Sequence, residues 1–360
     1  MGIFMGMASD YTLSPEILVL ITELDEFKGR WTTTQGLAPE RLTALRQIAT
    51  IESIGSSTRI EGVKLEDAEI EALLSGVKTF LFRSRDEQEI AGYAEVMELV
   101  FSSYSEIKLT ENHIKQLHSV LLKYSSKDTR HRREYKKFPN NVEAFDPTGK
   151  SLGIVFETAT PFDTPGKMQK LIEWALNQFE TKELHSLLII SIFIVTFLAI
   201  HPFQDGNGRL SRILTTFLLL KSGYTYVPYS SLEKVIEENK KNYYLSLRKA
   251  QGTLYKDNSQ INEWILFFLR SMRSQKNTLL KKLEGEELLA KLPKLSFQIV
   301  EIIKLSGANS IGELFDKTQK NRNTIKLHLK KLVQLEYLTQ EGQGKGTRYR
   351  VKSLLNLSKL

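Results

Sequence analysis

The chain has 360 residues, 41% apolar and 26% charged, which predicts two or three domains of a soluble globular protein. It contains no cysteine, so disulfides, thiolate catalysis and cysteine-held metals are excluded, and a reducing, cytoplasmic setting is expected. The net charge of +8 is a mild excess that gathers towards the C-terminal end and hints at a polyanionic partner there.

The opening MGIFMGMASDY has neither the basic region and cleavage site of a signal peptide nor a Ser or Thr placed for myristoylation, which predicts an ordinary terminus. SPEILVLITELDEFKGRW begins with a Ser-Pro helix start and keeps apolar residues at helical spacing. APERLTALRQIATIESIGSSTRIEG predicts a helix ending at Gly62, and LEDAEIEALLSGV one closed by Gly76. RDEQEIAGYAEVMELVFSSY and TENHIKQLHSVLLKY continue the helical pattern. Over 126–164 helix features fade, and DPTGK between NNVEAF and LGIVFETA predicts a β-hairpin. Helices resume from Pro165 to about Glu180, run through LLIISIFIVTFLAI (187–200), restart near Arg209 and reach NEWILFFLRSMRSQ. The apolar run is too short to span a bilayer, carries Ser191 and Thr196, and ends in a polar cluster, so it predicts a buried core helix and no membrane partner.

Near Lys291 a different unit begins. LSFQIVEIIKLSG, SIGELFDKT and NRNTIKLHLKKLVQLEYLTQ predict short helices, and EYLTQEG and GTRYRVKS two strands around GQGKG, an order that predicts a winged helix. Ile325, Leu329 and Leu332 form its inward stripe. Arg322, Lys326, Lys330 and Lys331 lie outside that stripe, and Lys345, Arg348 and Arg350 sit on the wing. This face suits DNA, and protein docking is the alternative.

AIHPFQDGNGRLSRI (199–213) carries the chemistry. His201 stands at the mouth of a turn that Pro202 keeps from continuing as helix, where it has the geometry of a general base beside a phosphorus centre. The glycines let backbone N–H groups converge on an anion at a helix N-terminus. Asp205 suits Mg²⁺, and Arg209 and Arg212 share a helix face as two fixed cations for a polyphosphate.

HPFQDGNGRLSR resembles the signature of the Fic family, His-x-Phe-x-Asp/Glu-Gly-Asn-Gly-Arg-x-x-Arg, with no departure at a fixed position. The resemblance implies a mainly α fold: a Fic helical core with a β-hairpin flap (105–280) behind an N-terminal helical unit (1–104), with the winged helix at 290–360. It implies transfer of AMP from ATP to Ser, Thr or Tyr hydroxyls of target proteins and of the chain itself. His201 is then the base and Asp205 the Mg²⁺ ligand. Gly206, Asn207, Gly208, Arg209, Leu210, Ser211 and Arg212 make the nucleotide cradle. ENKKNYYLSLRKAQ resembles the family's nucleoside-closing segment, which adds Asn239, Tyr243 and Tyr244. TATPFDTP places Thr158, Ala159 and Thr160 where the family aligns its target by strand addition. In RREYKKFPN the family often has Gly-x-Tyr-Arg, and Arg133 and Lys136 stand in those places.

SSTRIEG (56–62) matches the family's inhibitory pattern Ser/Thr-x-x-x-Glu-Gly/Asn, which implies that Glu61, one helical turn after Ser57, pairs with Arg212 and denies it to the γ-phosphate. The rival readings are a nucleotide-sensing DNA-binding regulator and a hydrolase that removes AMP with Glu61 orienting a water. A homodimer stays open. His113, His118, His131, His185 and His328 show no metal-ligand spacing and receive no role, with His185 expected to be a satisfied side chain on the core helix.

Overall fold

Ser14 marks the first helix start: its hydroxyl accepts from the N–H of Ile17 at 3.3 Å, and α1 (Pro15–Thr33) follows, burying Ile17, Leu20, Leu24 and Phe27 at three- and four-residue spacing. The computed structural model describes residues 14–33, 39–76, 82, 84–145, 151–254, 260–290, 292–335 and 337–351. The opening MGIFMGMASDY, the hairpin turn DPTGK, the Lys345 side chain and the segment after Val351 lie outside the described residues.

Helix α2 (Pro39–Ile60) ends in a Schellman motif, in which Val63 N–H donates to Thr58 C=O and Gly62 N–H to Arg59 C=O, both at 3.1 Å. Gly62 has φ 106°, a left-handed conformation that a side chain would strain. Helices α3 (Asp67–Gly76), α4 (Arg85–Ser103) and α5 (Glu111–Leu121) follow, the last two capped by Ser84 and Thr110. Strands β1 (Val142–Phe145) and β2 (Ser151–Phe156) pair antiparallel with two register irregularities. Then come α6 (Thr164–Thr181), α7 (Ser186–Ile200) and α8 (Asn207–Lys221). A 3₁₀ turn (Val227–Tyr229) leads to α9 (Leu232–Glu238), α10 (Lys240–Thr253) and α11 (Ile261–Ala290). Residues 187–200 of α7 are all buried, as a helix apolar on every face must be, and the Trp264 indole N–H donates to the Ser191 carbonyl at 2.8 Å. No described helix is long and apolar enough to cross a membrane.

The chain divides into two compact units, Met1–Gln275 and Lys276–Leu360. Helices α1 to α4 share the first unit with α7 and α8: α2 packs on α4 and α9, and α4 on α5 and α8. The second unit holds α12 (Lys294–Ser306), α13 (Ile311–Thr318), α14 (Arg322–Gln334) and an antiparallel ribbon of β3 (Leu338–Glu341) and β4 (Arg348–Val351). Ile325, Leu329 and Leu332 are fully buried there against Ile299, Ile303 and Leu314, as their spacing predicts. Arg322, Lys326, Lys330 and Lys331 are exposed.

Candidate active site

His201 closes α7 in the left-handed conformation, φ 53°, a strained position for a residue with a Cβ and one that recurs at functional sites. Its backbone N–H donates to Phe197 C=O at 2.9 Å, and Nδ1 faces the Leu198 carbonyl at 3.4 Å. With the proton on Nδ1, Nε2 keeps a lone pair. Burial, and next the Lys136 cation, push the imidazole down to about 4, so it is neutral at physiological pH, the state a base requires.

The loop after His201 is shaped by side chains that bond its own backbone. Asn207 Oδ1 accepts from Phe203 N–H at 2.9 Å and Nδ2 donates to Phe203 C=O at 2.7 Å, so both ends of the amide are spent on the turn. Gly206, at φ 81°, is the N-cap of α8. The helix therefore starts at Asn207, two residues earlier than predicted, because the Asn207 clasp and the left-handed Gly206 complete the turn first. His118 braces the loop from α5: Nδ1 accepts from Arg133 N–H at 3.2 Å, Nε2 donates to Asp205 C=O at 3.1 Å, and the ring stacks on Phe203 at 3.8 Å. Arg133 has φ 67°, the region that favours the glycine the family often places there. Lys136 is buried, and its ammonium donates to Ile200 C=O at 3.0 Å and to Asn140 Oδ1 and Thr158 Oγ1, each at 2.8 Å. Burial, then Lys167, push that amine down to about 8.

At the N-terminus of α8 no side chain caps the first N–H groups, which leaves Asn207, Gly208 and Arg209 backbone donors at a positive dipole end. Arg209 and Arg212 are 2% and 4% exposed, so each is a desolvated cation held by specific partners. Arg209 lies 2.9 Å from Glu89 Oε2 and 3.3 Å from Asp205 Oδ1, while Arg85 lies 2.7 Å from Glu89 Oε1 and 3.3 Å from Asp205 Oδ2. The four side chains close a ring of alternating charge. Within it Arg209 Nη1 is ion-paired with Glu89 Oε2, and the buried Nε has no hydrogen-bond partner among the described residues. Burial would raise the Asp205 carboxyl, but Arg209, the Gly206 N–H and Arg85 outweigh it and hold the group below the usual carboxylate range.

Arg212 is gripped from α2: Nε donates to Ser57 Oγ at 2.7 Å, and Nη2 to Ser57 C=O at 2.9 Å and to Glu61 Oε1 at 2.7 Å. Burial would lower the Arg212 guanidinium, and Glu61 more than reverses this. The Glu61 carboxylate also sits over the first turn of α8, where a Cβ at Gly208 would collide with Oε1. The α2 terminus is itself anchored: Arg59 pairs with Glu237 at 2.7 Å and Asp67 at 2.9 Å, and Lys240 donates to Ile60 C=O at 2.8 Å.

A left-handed histidine, an uncapped helix start and paired buried arginines form one constellation in residues 201–212, inside the segment 108–219 that matches the Fic/DOC family model. Residues 108–219 form a Fic domain. A Fic family protein of Desulfovibrio desulfuricans shares the fold with TM-score 0.60 at 23% identity, covering 95% of this chain and 98% of that one. A probable protein adenylyltransferase of Aquifex aeolicus is 33% identical over 85 residues, 24% of this chain and 26% of that protein. The protein adenylyltransferase Fic of Drosophila grimshawi is 28% identical over 185 residues, 51% of this chain and 35% of that protein. The chain therefore spans 26% to 35% of the length of these curated relatives.

Several residues of the expected cradle have other tasks in this Fic domain. Leu210 is fully buried and the Ser211 hydroxyl donates to Gly208 C=O at 2.8 Å, so both shape the helix rather than face a ligand. Asn207 likewise acts through its clasp on the turn. Tyr243 is buried against Trp264 and Phe267, with ring centroids 5.8 Å away in each case, and belongs to the core. Tyr244 is half-buried and Asn239 exposed, with Asn239 Nδ2 donating to Val235 C=O at 2.9 Å, so these two remain on the open side. Thr158, Ala159 and Thr160 lie beyond the end of β2. Thr158 N–H is taken by Asn141 Oδ1 at 3.1 Å, Ala159 is buried, and Thr160 Oγ1 bonds Asp163 at the start of α6. These three residues follow the two-stranded β1–β2 sheet and lead into α6. Glu89, Arg85 and His118 join the site without any spacing signal, since each reaches it from another helix. His185 is satisfied as expected, by Asp25 at 2.9 Å and Leu187 N–H at 3.3 Å.

Among the described residues no group of three His, Asp or Glu could hold a metal alone. The hard, ionised carboxylate of Asp205 fits a Mg²⁺ ion shared with nucleotide phosphates, and Arg85 is the group that would have to release it.

Proposed function

We propose that the Fic domain transfers AMP from ATP to a protein hydroxyl and that Glu61 holds this activity down. The observation that carries the reading is the Glu61 carboxylate bound to Arg212 against Gly208, an anion already seated beside the phosphate donors, while His201 stays neutral. The hydroxyl oxygen attacks the α-phosphorus, its proton passes to His201 Nε2, and the bond to the α,β-bridging oxygen breaks to release pyrophosphate. The N–H groups at the start of α8, Arg209 and Arg212 stabilise the phosphate charge. Mg²⁺ held by Asp205 would neutralise charge on the α- and β-phosphates. Beta-strand pairing of a target segment with the hairpin would present the hydroxyl to His201. Incubation with α-labelled ATP, comparing the parent with Glu61→Gly, tests this: label should appear on the variant, and equal labelling would sink the assignment of Glu61. A second reading, hydrolytic removal of AMP in which Glu61 orients a water that attacks the phosphorus and the protein hydroxyl leaves, is favoured by the 33% exposure of the Glu61 side chain, and it requires Glu61→Gly to lose AMP release.

We infer that the second unit is a winged helix that contacts DNA through α14, because that helix buries one stripe and exposes Arg322, Lys326, Lys330 and Lys331. Charge reversal at the three lysines of the full chain should weaken DNA binding and flatten its salt slope by about one unit per lost phosphate contact. Binding insensitive to salt would favour protein docking instead.

A further inference from the structure

Helices α7 and α8 run side by side, so the ends opposite His201 and Asn207 form a second locality, about 22 Å away by the rise of 15 residues. There a cavity of about 760 Å³ opens between the Lys108–Thr110 segment, the C-terminal end of α6, the start of α7 and the end of α8. Its size is that of a small-molecule site. Leu109, Leu176, Phe179, Leu184 and Phe217 make it apolar, and Leu176 is 46% exposed at its side. Lys108, Lys182 and Lys221 also line it, and no Asp or Glu does.

Three observations point to a ligand. Lys108 and Lys182 have no carboxylate partner among the described residues, and Lys221 donates only to the neutral Ser105 carbonyl at 3.1 Å, so the rim carries uncompensated positive charge. Lys182 is held in the left-handed region at φ 57°, where it closes α6. Gln178 lines the cavity at 4% exposure, and its Oε1 has no hydrogen-bond partner while Nε2 donates to Glu183 at 3.3 Å. A buried acceptor without a donor is rare in a finished core.

We propose that this cavity binds an amphipathic anion: an acyl chain in the apolar interior, a hydrogen-bond donor next to it for Gln178, and a carboxylate or phosphate head among the three lysines. The charge pattern selects against an apolar protein helix, which would leave the lysines facing no anion. The site shares no residue with the nucleotide cradle, so it stands or falls apart from the Fic chemistry.

The probe is monomeric N-dodecanoylglycine, which carries chain, amide N–H and carboxylate, titrated below its micelle concentration into the full chain by calorimetry. Saturable one-to-one binding is expected, at least tenfold weaker for the uncharged methyl ester. The surface variant Lys108→Glu/Lys182→Glu/Lys221→Glu should weaken binding at least tenfold, and N-dodecanoylglycine should lose its advantage over dodecanoate in Gln178→Leu. Dodecyl phosphate tests the second head group in the same titration. A diazirine on the acyl chain should crosslink within residues 176–189 of the folded parent. Equal affinity for the ester, unchanged affinity in the triple variant, or capture of anionic vesicles without binding of the monomer would overturn the proposal.

Discussion

Arg209 and Arg212 stand one turn apart on α8 and are held in opposite ways. Arg209 belongs to a closed ring with Arg85, Glu89 and Asp205, two cations and two carboxylates that balance one another. Arg212 has one charged hydrogen-bond partner, Glu61, and otherwise the neutral Ser57. Removing a ring member leaves one of its partners, Arg209 or Glu89, a buried and unbalanced charge. Removing Glu61 leaves Arg212 open to the anion that ATP itself brings. On the function proposed above, the first arrangement is framework and the second would act as a gate.

The hardest test strikes what both sides serve. In a Glu61→Gly background, His201→Ala should cut self-labelling by about 10²–10⁴-fold while ATP binding persists. The same background should show an acid limb below pH 6.5, because burial and Lys136 hold His201 down to about 4 and protonation removes the base only as pH falls through that range. A limb at or above 6.5 would show that His201 is not the titrating base. Next, Glu61→Gly alone should raise labelling about tenfold to a hundredfold, the equivalent of a charge-assisted hydrogen bond of ~1.5–3 kcal/mol, and Arg212→Ala should cancel the gain. On the framework side the sign reverses. Glu89→Ala should lower stability by about 3 kcal/mol in urea unfolding and should not raise labelling, whereas a gain would make the ring a second gate. The smallest effect belongs to Arg85, whose side chain is 51% exposed. Arg85→Ala should change stability by less than about 1 kcal/mol and lower the Mg²⁺ needed for half-maximal labelling by a few-fold, read from a metal titration.

The helices were legible because their start and stop signals are local: Ser14-Pro15, Thr110 and Gly62 act within a turn of themselves. The 201–212 motif was legible for the same reason, yet its letters mix two jobs. Asn207 is a fixed letter that builds the turn, and Leu210 and Ser211 fill variable positions that build the helix, and a linear pattern does not separate their tasks from those of Arg209 and Arg212, which face charge. Tyr243 illustrates the same ambiguity: a tyrosine at helical spacing reads alike whether its ring lies in the core or over a ligand. Glu89, Arg85 and His118 left no trace, because their nearness to the loop is a product of packing between helices far apart in the chain, and Lys136 was visible only as a departure from the family's pattern. Glu61 was reached only through a pattern match; its contact with Gly208 depends on where the α2 terminus docks.

On the proposed reading, that docking would make Glu61 an intramolecular competitor of the nucleotide. A tethered carboxylate has a fixed effective concentration at its cation, on the order of millimolar for short tethers. A nucleotide phosphate displacing it one for one would give a hyperbolic response to nucleotide with a Hill slope of one and no threshold. The half-point depends on how firmly the α2 terminus is held, through Arg59 on Glu237 and Asp67 and through Lys240 on Ile60. Weakening any of these tethers moves the half-point to lower nucleotide while leaving Glu61 and Arg212 chemically unchanged. A gate of this kind would take its setting from the anchoring of a helix end rather than from the ion pair alone.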